Sequence, residues 1–539
     1  MHLVSSSPPS EATMTIYLQA NQPYQEALCL YEQQRYCAAQ EVLQQAITID
    51  CEDVALLSLH ALVLGKQKRY QQQLICLERL LELAPNQPQF ILQKAYAYFE
   101  TRDYSKAKSL VMMALKVKGA VGNEDMIAGV KLLHMLGLYD IALEALAVGD
   151  ITQVDLNHLH LLAQSQVQCG QGKAASIIYQ HLLERNSECS KSMIGLTLAR
   201  KASANNNNVK ALTKLVKQTR NPWLGINICH ALAKELDELG EYQQAYEVLR
   251  RGKKRLRSAS PFEPKHSVDN INQLLSVYQE KLVAPFISDN ASNHAPIFVV
   301  GMPRTGTTIV ERLLTNHPDI ASVGERPQFS ALLKQQCGSG YAGLVDSSAL
   351  SEHWDTIDFT ELGHQYIESI DYIAQGKRCV DKLPLNILLV GAIIRALPQA
   401  KIVCLTRDPL DTVIGNYKQG FEYATDTYSY SLDLVSLSHF VLGFRNLARY
   451  FATHFPKQFM TLDYRQLVSS ASDSAQSLFK FCALDWQDSY LAIHKNTAPI
   501  GTASAIQVQQ PIHQQSIGKS KNYAFCTEPL QVLFDQEST

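Results

Sequence analysis

Through the first half of the chain, apolar residues recur every three or four positions; in the second half they gather into short unbroken runs. The first spacing marks amphipathic helices, and the second marks strands buried on both faces. The helical half is also periodic on a longer scale. Arg35-Tyr36, Arg69-Tyr70 and Asp103-Tyr104 stand 34 residues apart, with Leu138-Tyr139 one residue later. Ala39, Ala107 and Ala142 each follow their tyrosine by three residues. The register weakens through Lys173 and Val209 and returns at Gly240-Glu241-Tyr242 with Ala245. After Pro296 the expected order is strand 297–301, helix 306–316, a strand around 378–381, helix 384–397, strand 401–406 and a helix from about 409. Such alternation reads as a parallel sheet with helices on both faces.

A 34-residue period with a small residue at each helix crossing is the tetratricopeptide signature. Residues 16–257 are therefore expected to form an α-helical solenoid of about seven helical pairs, each burying its apolar face only against its neighbours. Its concave face would offer a groove to a peptide or protein acceptor; a rigid spacer or the arm of a homodimer is the competing role. His158 and His160 belong to an ordinary repeat helix without further ligands nearby, so they read as satisfied histidines and not as a metal site. Asn205–Asn208 reads as an inter-helix turn, and the basic run Arg250–Arg257 as a solvated helix end whose cations complement the helix dipole. Ser258–Pro264 breaks that helix, and an amphipathic helix over about Val268–Lys281 follows. The expected division is a disordered tail at 1–15, repeats at 16–257, a linker with a helix at 258–294, an α/β domain at 295–530 and a tail at 531–539.

A net charge of −2 makes no general case for nucleic acid or an anionic membrane as partner, so an anion site has to be local. No apolar run approaches the ~20 residues of a membrane span, and the first residues carry no hydrophobic signal core. The twelve cysteines are scattered without a Cys-x-x-Cys pair, the usage of a reduced compartment. A cytoplasmic protein is expected.

The chemistry concentrates in Ala295–Glu325, which reads APIFVVGMPRTGTTIVERLLTNHPDIASVGE. A buried strand runs into a glycine loop and directly into a helix, an arrangement that aims backbone N–H groups and the positive helix end at an anion. Gly301 and Gly306 keep the spacing of a nucleotide-triphosphate loop, but Thr307 stands where its lysine belongs. That lysine reaches β- and γ-phosphates, so a phosphorylated nucleotide other than ATP is expected. Gly301–Thr308, Asp381-Lys382 and Arg407 all fall at the carboxyl ends of expected strands, where ligands of open parallel sheets bind.

These residues carry a resemblance. P-R-T-G-T-T after a hydrophobic strand is similar to the 5′-phosphosulfate loop of sulfotransferases that use 3′-phosphoadenosine 5′-phosphosulfate (PAPS). H-P-D-x-x-x-x-G-E resembles the protein-tyrosine sulfotransferases and the bacterial sulfotransferases that carry tetratricopeptide repeats. DKLPLN (381–386), KIVCLTRDPLDTVIGNY (401–417) and SAIQVQQPIHQQSIGKS (504–520) follow in the matching order. The resemblance implies a PAPS-dependent enzyme that needs no metal. Arg304, Thr305, Gly306, Thr307 and Thr308 would cradle the 5′ end of the donor, Arg407 would take its 3′-phosphate, and Lys519 would contact phosphate with Lys521 as helper. Glu325 matches the catalytic base and Lys382 the lysine that steadies the departing phosphate oxygen, with Arg304 and Ser504 assisting. Taken alone, Glu325 reads as a capping or surface carboxylate. A phenol of pKa ~10 facing a carboxylic acid of pKa ~4 would lose its proton only at a cost of about 8 kcal/mol, so proton transfer is expected to accompany attack on sulfur.

Two positions depart from the family. Eight residues after Arg407 the usual phosphate-binding serine is replaced by Gly415, a loss worth about 1.5–3 kcal/mol for one charge-assisted hydrogen bond. Asn416, Thr412 or the Gly415 amide is the expected compensation. The common tryptophan after the C-terminal lysine is Ser520. The acceptor is read as peptide or protein tyrosine; a small molecule or glycan, and a nucleotide-binding repeat scaffold with degenerate activity, are the alternatives.

Overall fold

The computed structural model describes residues 22–117, 122–147, 151–282, 295–338, 343–496, 498, 508 and 510–535. The chain forms two compact units, 1–165 and 166–539. The tail expected at 1–15 lies outside the described residues, whereas 531–535 close the helix Ala524–Asp535.

The first unit is helical: Tyr36, Tyr70, Tyr104 and Tyr139, the four markers, each open a helix. Ala39, Ala107 and Ala142 are fully buried at the crossings. The turn ahead of each marker is the same. Gln34, Lys68, Arg102 and Gly137 take left-handed φ values of 60, 59, 68 and 70°. The next amide then returns to the carbonyl five residues earlier, as in Arg35 to Leu30 and Asp103 to Tyr98. That bond satisfies a carbonyl which the helix end would otherwise leave open. His158 Nε2 lies 3.1 Å from the Leu146 carbonyl, and His160 is buried.

The second unit contains both helices and sheet. Helices Pro222–Glu238 and Tyr242–Arg257, read from the sequence as the end of the repeats, belong to it, and the same left-handed turn separates them at Gly240. Asn205–Asn208 does form a turn, with the Asn208 amide donating to Glu235. The basic run is not wholly solvated as expected. Lys253 is fully buried, its ammonium donating to the Ser431 carbonyl at 2.7 Å and the Tyr423 hydroxyl at 3.2 Å, 4.5 Å from the Tyr417 ring centroid. The helix carrying this run ends at Arg257, and the next starts at Pro264, four residues before the expected Val268, because proline suits a first helical turn that needs no N–H.

Among the described residues, five strands form one all-parallel sheet in the order β2-β3-β1-β4-β5: β1 Ile297–Gly301, β2 Ile320–Gly324, β3 Arg378–Asp381, β4 Lys401–Thr406 and β5 Phe459–Asp463. β1 is central, and its residues alternate between two cores. Phe298 and Val300 face a cluster that includes Leu232, Leu249, Leu274 and Phe440; Ile297 and Val299 face Val310, Leu314, Leu467 and Phe479. Burial on both faces explains the unbroken apolar run. The edge strands β2 and β5 are half-exposed and mix polar with apolar residues, so the run pattern does not reveal them. Residues 384–389 form 3₁₀ turns before the helix Val390–Ala396, which replaces the single helix expected at 384–397. No helix among the described residues is long and apolar enough to cross a membrane.

Candidate active site at the carboxyl end of the sheet

The chain leaves β1 toward β2 and β3, then returns past β1 to β4 and β5, so the crevice of the sheet opens between β1 and β4. The loop after β1 lies there. Gly301 (φ 151°) and Gly306 (φ 104°) are required by space as well as by angle: a Cβ would sit 2.8 Å from the Leu405 carbonyl in one case and 2.7 Å from the Tyr464 ring in the other. Arg304 adopts φ 67° without being glycine, a conformation usually tolerated only where the surroundings impose it. Asn416, on the helix Pro409–Tyr417 that follows β4, holds the loop by donating to the Pro303 carbonyl at 2.7 Å, and Thr305 Oγ1 closes it on the Met302 carbonyl at 2.7 Å. Thr307 and Thr308, both buried, begin the helix Thr307–Thr315 directly after the loop.

On the β2–β3 side lies a buried ionic group. A bulge between Ser322 and Gly324 and the left-handed Gly324 (φ 74°) turn the chain, and the Lys382 amide bonds the Gly324 carbonyl at 3.0 Å. Glu325 is thereby brought to Lys382, whose ammonium lies 2.5 Å from Glu325 Oε1 and 3.7 Å from Glu311 Oε2. The Lys382 side chain is 1 % exposed and Glu325 32 %, so only the carboxylate meets solvent. Glu311 also accepts from Ser322 Oγ at 2.5 Å. Sequence reasoning missed Glu311, because a glutamate inside VERLL reads as the wet face of an amphipathic helix. Its place one turn after Thr307 was the available signal. Next to Lys382, Asp381 is fully buried; that burial pushes its carboxyl up to about 7, against the hydroxyl that Tyr366 donates at 2.7 Å.

On the β4 side the geometry is of another kind. Arg407 donates to the Arg304 carbonyl at 3.0 Å, to Asp411 Oδ2 at 3.2 Å and to the Ser516 carbonyl, and its guanidinium lies 4.6 Å from the Tyr464 ring centroid. Asp411 accepts the Gly518 and Ser520 amides, each at 2.8 Å, and so fastens the segment that carries Lys519 beside Arg407. Burial opposes ionisation of Asp411, yet the Ser520 amide and Arg407 hold its carboxyl below the usual range. Partial burial, and then the charges of Lys418, Arg407 and Arg304, push the Lys519 ammonium below its ordinary range. Cations gathered closely enough to oppose one another in this way mark a place suited to an anion. A cleft of about 260 Å³ opens here, lined by Arg407, Asp408, Asp411, Asp463, Tyr464, Arg465 and Ile517. Tyr464 was not singled out from the sequence, since the strand that ends just before it, at Asp463, has no unbroken apolar run.

The fold thus brings Arg304, Thr305, Gly306, Thr307, Thr308, Arg407, Gly415 and Lys519 around the crevice, with Glu325 and Lys382 paired on its other side. Gly415 lies against Arg304, a Cβ built there standing 3.3 Å from the Arg304 Cβ. Ser504 lies outside the described residues; Asn496 and Ala498, just before it, are held by Arg312. His317 of the His-Pro-Asp motif has a local role: it accepts the Asp319 amide at 3.2 Å and meets Asp485 at 2.8 Å.

Residues 296–488 match the model of the sulfotransferase family. The chain is 28 % identical over 308 residues to an uncharacterized protein of Aquifex aeolicus, covering 56 % of this chain and 40 % of that protein. It is 24 % identical over 252 residues to a protein-tyrosine sulfotransferase of Drosophila melanogaster, covering 41 % of this chain and 46 % of that one. The chain therefore spans less than half the length of these curated relatives. Among solved structures it is similar to the sulfotransferase domain of a Synechococcus olefin synthase, at 16 % identity and a TM-score of 0.32, over 43 % of this chain and 90 % of that domain.

Proposed function

We propose that residues 295–530 transfer a sulfuryl group from PAPS to an acceptor hydroxyl. The observation that carries this reading is the divided crevice: a glycine loop at a helix N-terminus, a Glu325–Lys382 pair on one side and a gathering of mutually opposing cations on the other. The match of residues 296–488 to the sulfotransferase family supports it. Bound, the donor supplies the sulfuryl group and a phosphate leaving group. Loop amides and the Thr307 and Thr308 hydroxyls hold its 5′ end, and Arg407 and Lys519 hold its 3′-phosphate. Glu325, the more exposed partner of its ion pair, takes the acceptor proton as the acceptor oxygen bonds to sulfur. Lys382 meets the charge that gathers on the phosphate oxygen as its bond to sulfur breaks, with Arg304 and Ser504 assisting.

Likeness to the Drosophila protein-tyrosine sulfotransferase favours peptide or protein tyrosine as acceptor. The recurring left-handed turn at Gln34, Lys68, Arg102 and Gly137 supports a tetratricopeptide array that presents it. The experiment is transfer of labelled sulfate from PAPS to a tyrosine peptide by the purified protein. Label on the tyrosine oxygen is expected. Binding of adenosine 3′,5′-bisphosphate without transfer to peptide, small phenols or glycans would favour a nucleotide-binding scaffold instead.

A further inference from the structure

The helix Pro409–Tyr417 and its cap turn one stripe of positions, Asp411, Gly415 and Lys418, toward the crevice. Asp411 fastens Arg407 and the C-terminal segment, and Gly415 lies against Arg304. Lys418, the third position, was not singled out from the sequence. Its ammonium meets Asp237 Oδ1 at 2.6 Å, a carboxylate 181 residues earlier on the helix Pro222–Glu238. Tyr523 donates its hydroxyl to the same oxygen at 2.5 Å, and its ring centroid lies 5.0 Å from the Lys418 ammonium. The side chains of Lys418 and Asp237 are 23 % and 25 % exposed, so solvent and a soluble anion can reach the pair. Lys418 is also the cation whose charge acts most strongly on Lys519, ahead of Arg407 and Arg304. Arg304, Arg407 and Lys418 all act on Lys519 as opposing charges, with Asp411 beside Arg407 and Asp237 beside Lys418, while Asp408 and Asp463 of the same cleft cap helices. Such a gathering of cations suits a phosphate monoester, which carries about −1.5 to −2 at neutral pH.

We propose that Lys418 is a further donor-binding residue, exchanging its contact with Asp237 for the 3′-phosphate of the nucleotide and replacing the hydroxyl that Gly415 lacks. The proposal rests on the donor reading above. A lysine ammonium on a flexible four-carbon stem can make this exchange without moving the backbone. Asp237 then competes with the ligand for Lys418, so a helix that precedes the sheet by some sixty residues sets donor affinity.

The test is calorimetric titration of the full chain with adenosine 3′,5′-bisphosphate and with AMP. A wild-type protein that shows no preference for the bisphosphate overturns the donor reading, and this proposal with it. Where the preference exists, Lys418→Met is expected to weaken bisphosphate binding about tenfold or more and leave AMP nearly unchanged. Lys418→Arg should restore most of the loss, and Asp237→Asn should strengthen bisphosphate binding a few-fold. A Lys418→Met protein with the wild-type preference overturns the proposal and leaves the donor reading standing. Equal weakening for both nucleotides, without rescue by arginine, assigns Lys418 to packing and overturns it as well.

Discussion

On the β2–β3 side of the central strand, a buried lysine is held by carboxylates of the fold: Lys382 lies between the buried Glu311 and the more exposed Glu325, and Asp381 accepts from Tyr366. On the β4 side, cations gather closely enough to oppose one another, and Lys418 and Lys519 reach solvent. The first arrangement can shift a proton or steady a developing charge without reorganising, which is what a chemical step requires. The second lowers its own repulsion only when an anion arrives, which is what recognition requires. On the proposed reading, the carboxyl end of the sheet keeps these two electrostatic tasks apart, with the glycine loop between them.

The largest test of this division concerns the helices whose polar contacts fall on the β4 side. Asp237 and Lys253 reach Lys418, Tyr523, Tyr423 and Ser431, so a chain beginning at Ser258 strips that side of its support. Such a chain is expected to lose cooperative unfolding in calorimetry, whereas one beginning at Gln166 keeps it and still binds nucleotide. Equal behaviour of the two would show that the support is dispensable.

Next in size is the split between rate and affinity. Glu325→Gln is expected to lower kcat by about 10²–10⁴ with donor affinity nearly constant. Arg407→Ala should instead weaken adenosine 3′,5′-bisphosphate binding by about 1.5–3 kcal/mol and barely affect AMP. Normal turnover of Glu325→Gln would remove the proposed base. A kcat loss in Arg407→Ala with unchanged affinity would erase the distinction between the sides.

A smaller effect should appear in stability against pH. Burial raises the Asp381 carboxyl to about 7, above its value near 3.9 in an unfolded chain, so the native state keeps a proton that the unfolded state gives up. Asp381's contribution is then present below about pH 4, declines as pH rises to about 7 and is flat beyond. Denaturant midpoints of the protein and of Asp381→Asn should converge or cross over that window as pH rises. A constant difference from pH 4 to 8 would place the titrating group elsewhere.

Gly415→Ser is expected to have the least effect. A serine hydroxyl offers the phosphate a hydrogen bond, but its Cβ must press Arg304 back by a few tenths of an ångström from 3.3 Å. The two terms oppose, and bisphosphate affinity should change by less than about tenfold, or 1.4 kcal/mol. A larger gain would mean that the crevice lacks only that hydroxyl, and would count against Lys418 as its replacement.

The sequence alone determined the features that local physics controls. Helical periodicity marked the turns before Tyr36, Tyr70, Tyr104 and Tyr139, because each helix must bury one stripe and close its end. The apolar run Ile297–Val300 revealed the central strand, since only a doubly covered strand is apolar on both faces. The glycines at 301 and 306 and the strand ends at Asp381 and Thr406 located the crevice for the same local reasons. What tertiary structure decided lies in pairs distant along the chain. Edge strands β2 and β5 need a neighbour to exist, and their mixed residues announce none. Glu311 looked solvated until β3 brought Lys382 against it, and Lys253 looked solvated until residues 423–431 folded over it. Lys418 finds Asp237 across 181 residues. A charged side chain carries no local mark of being paired, because burial becomes tolerable only through the partner that folding supplies.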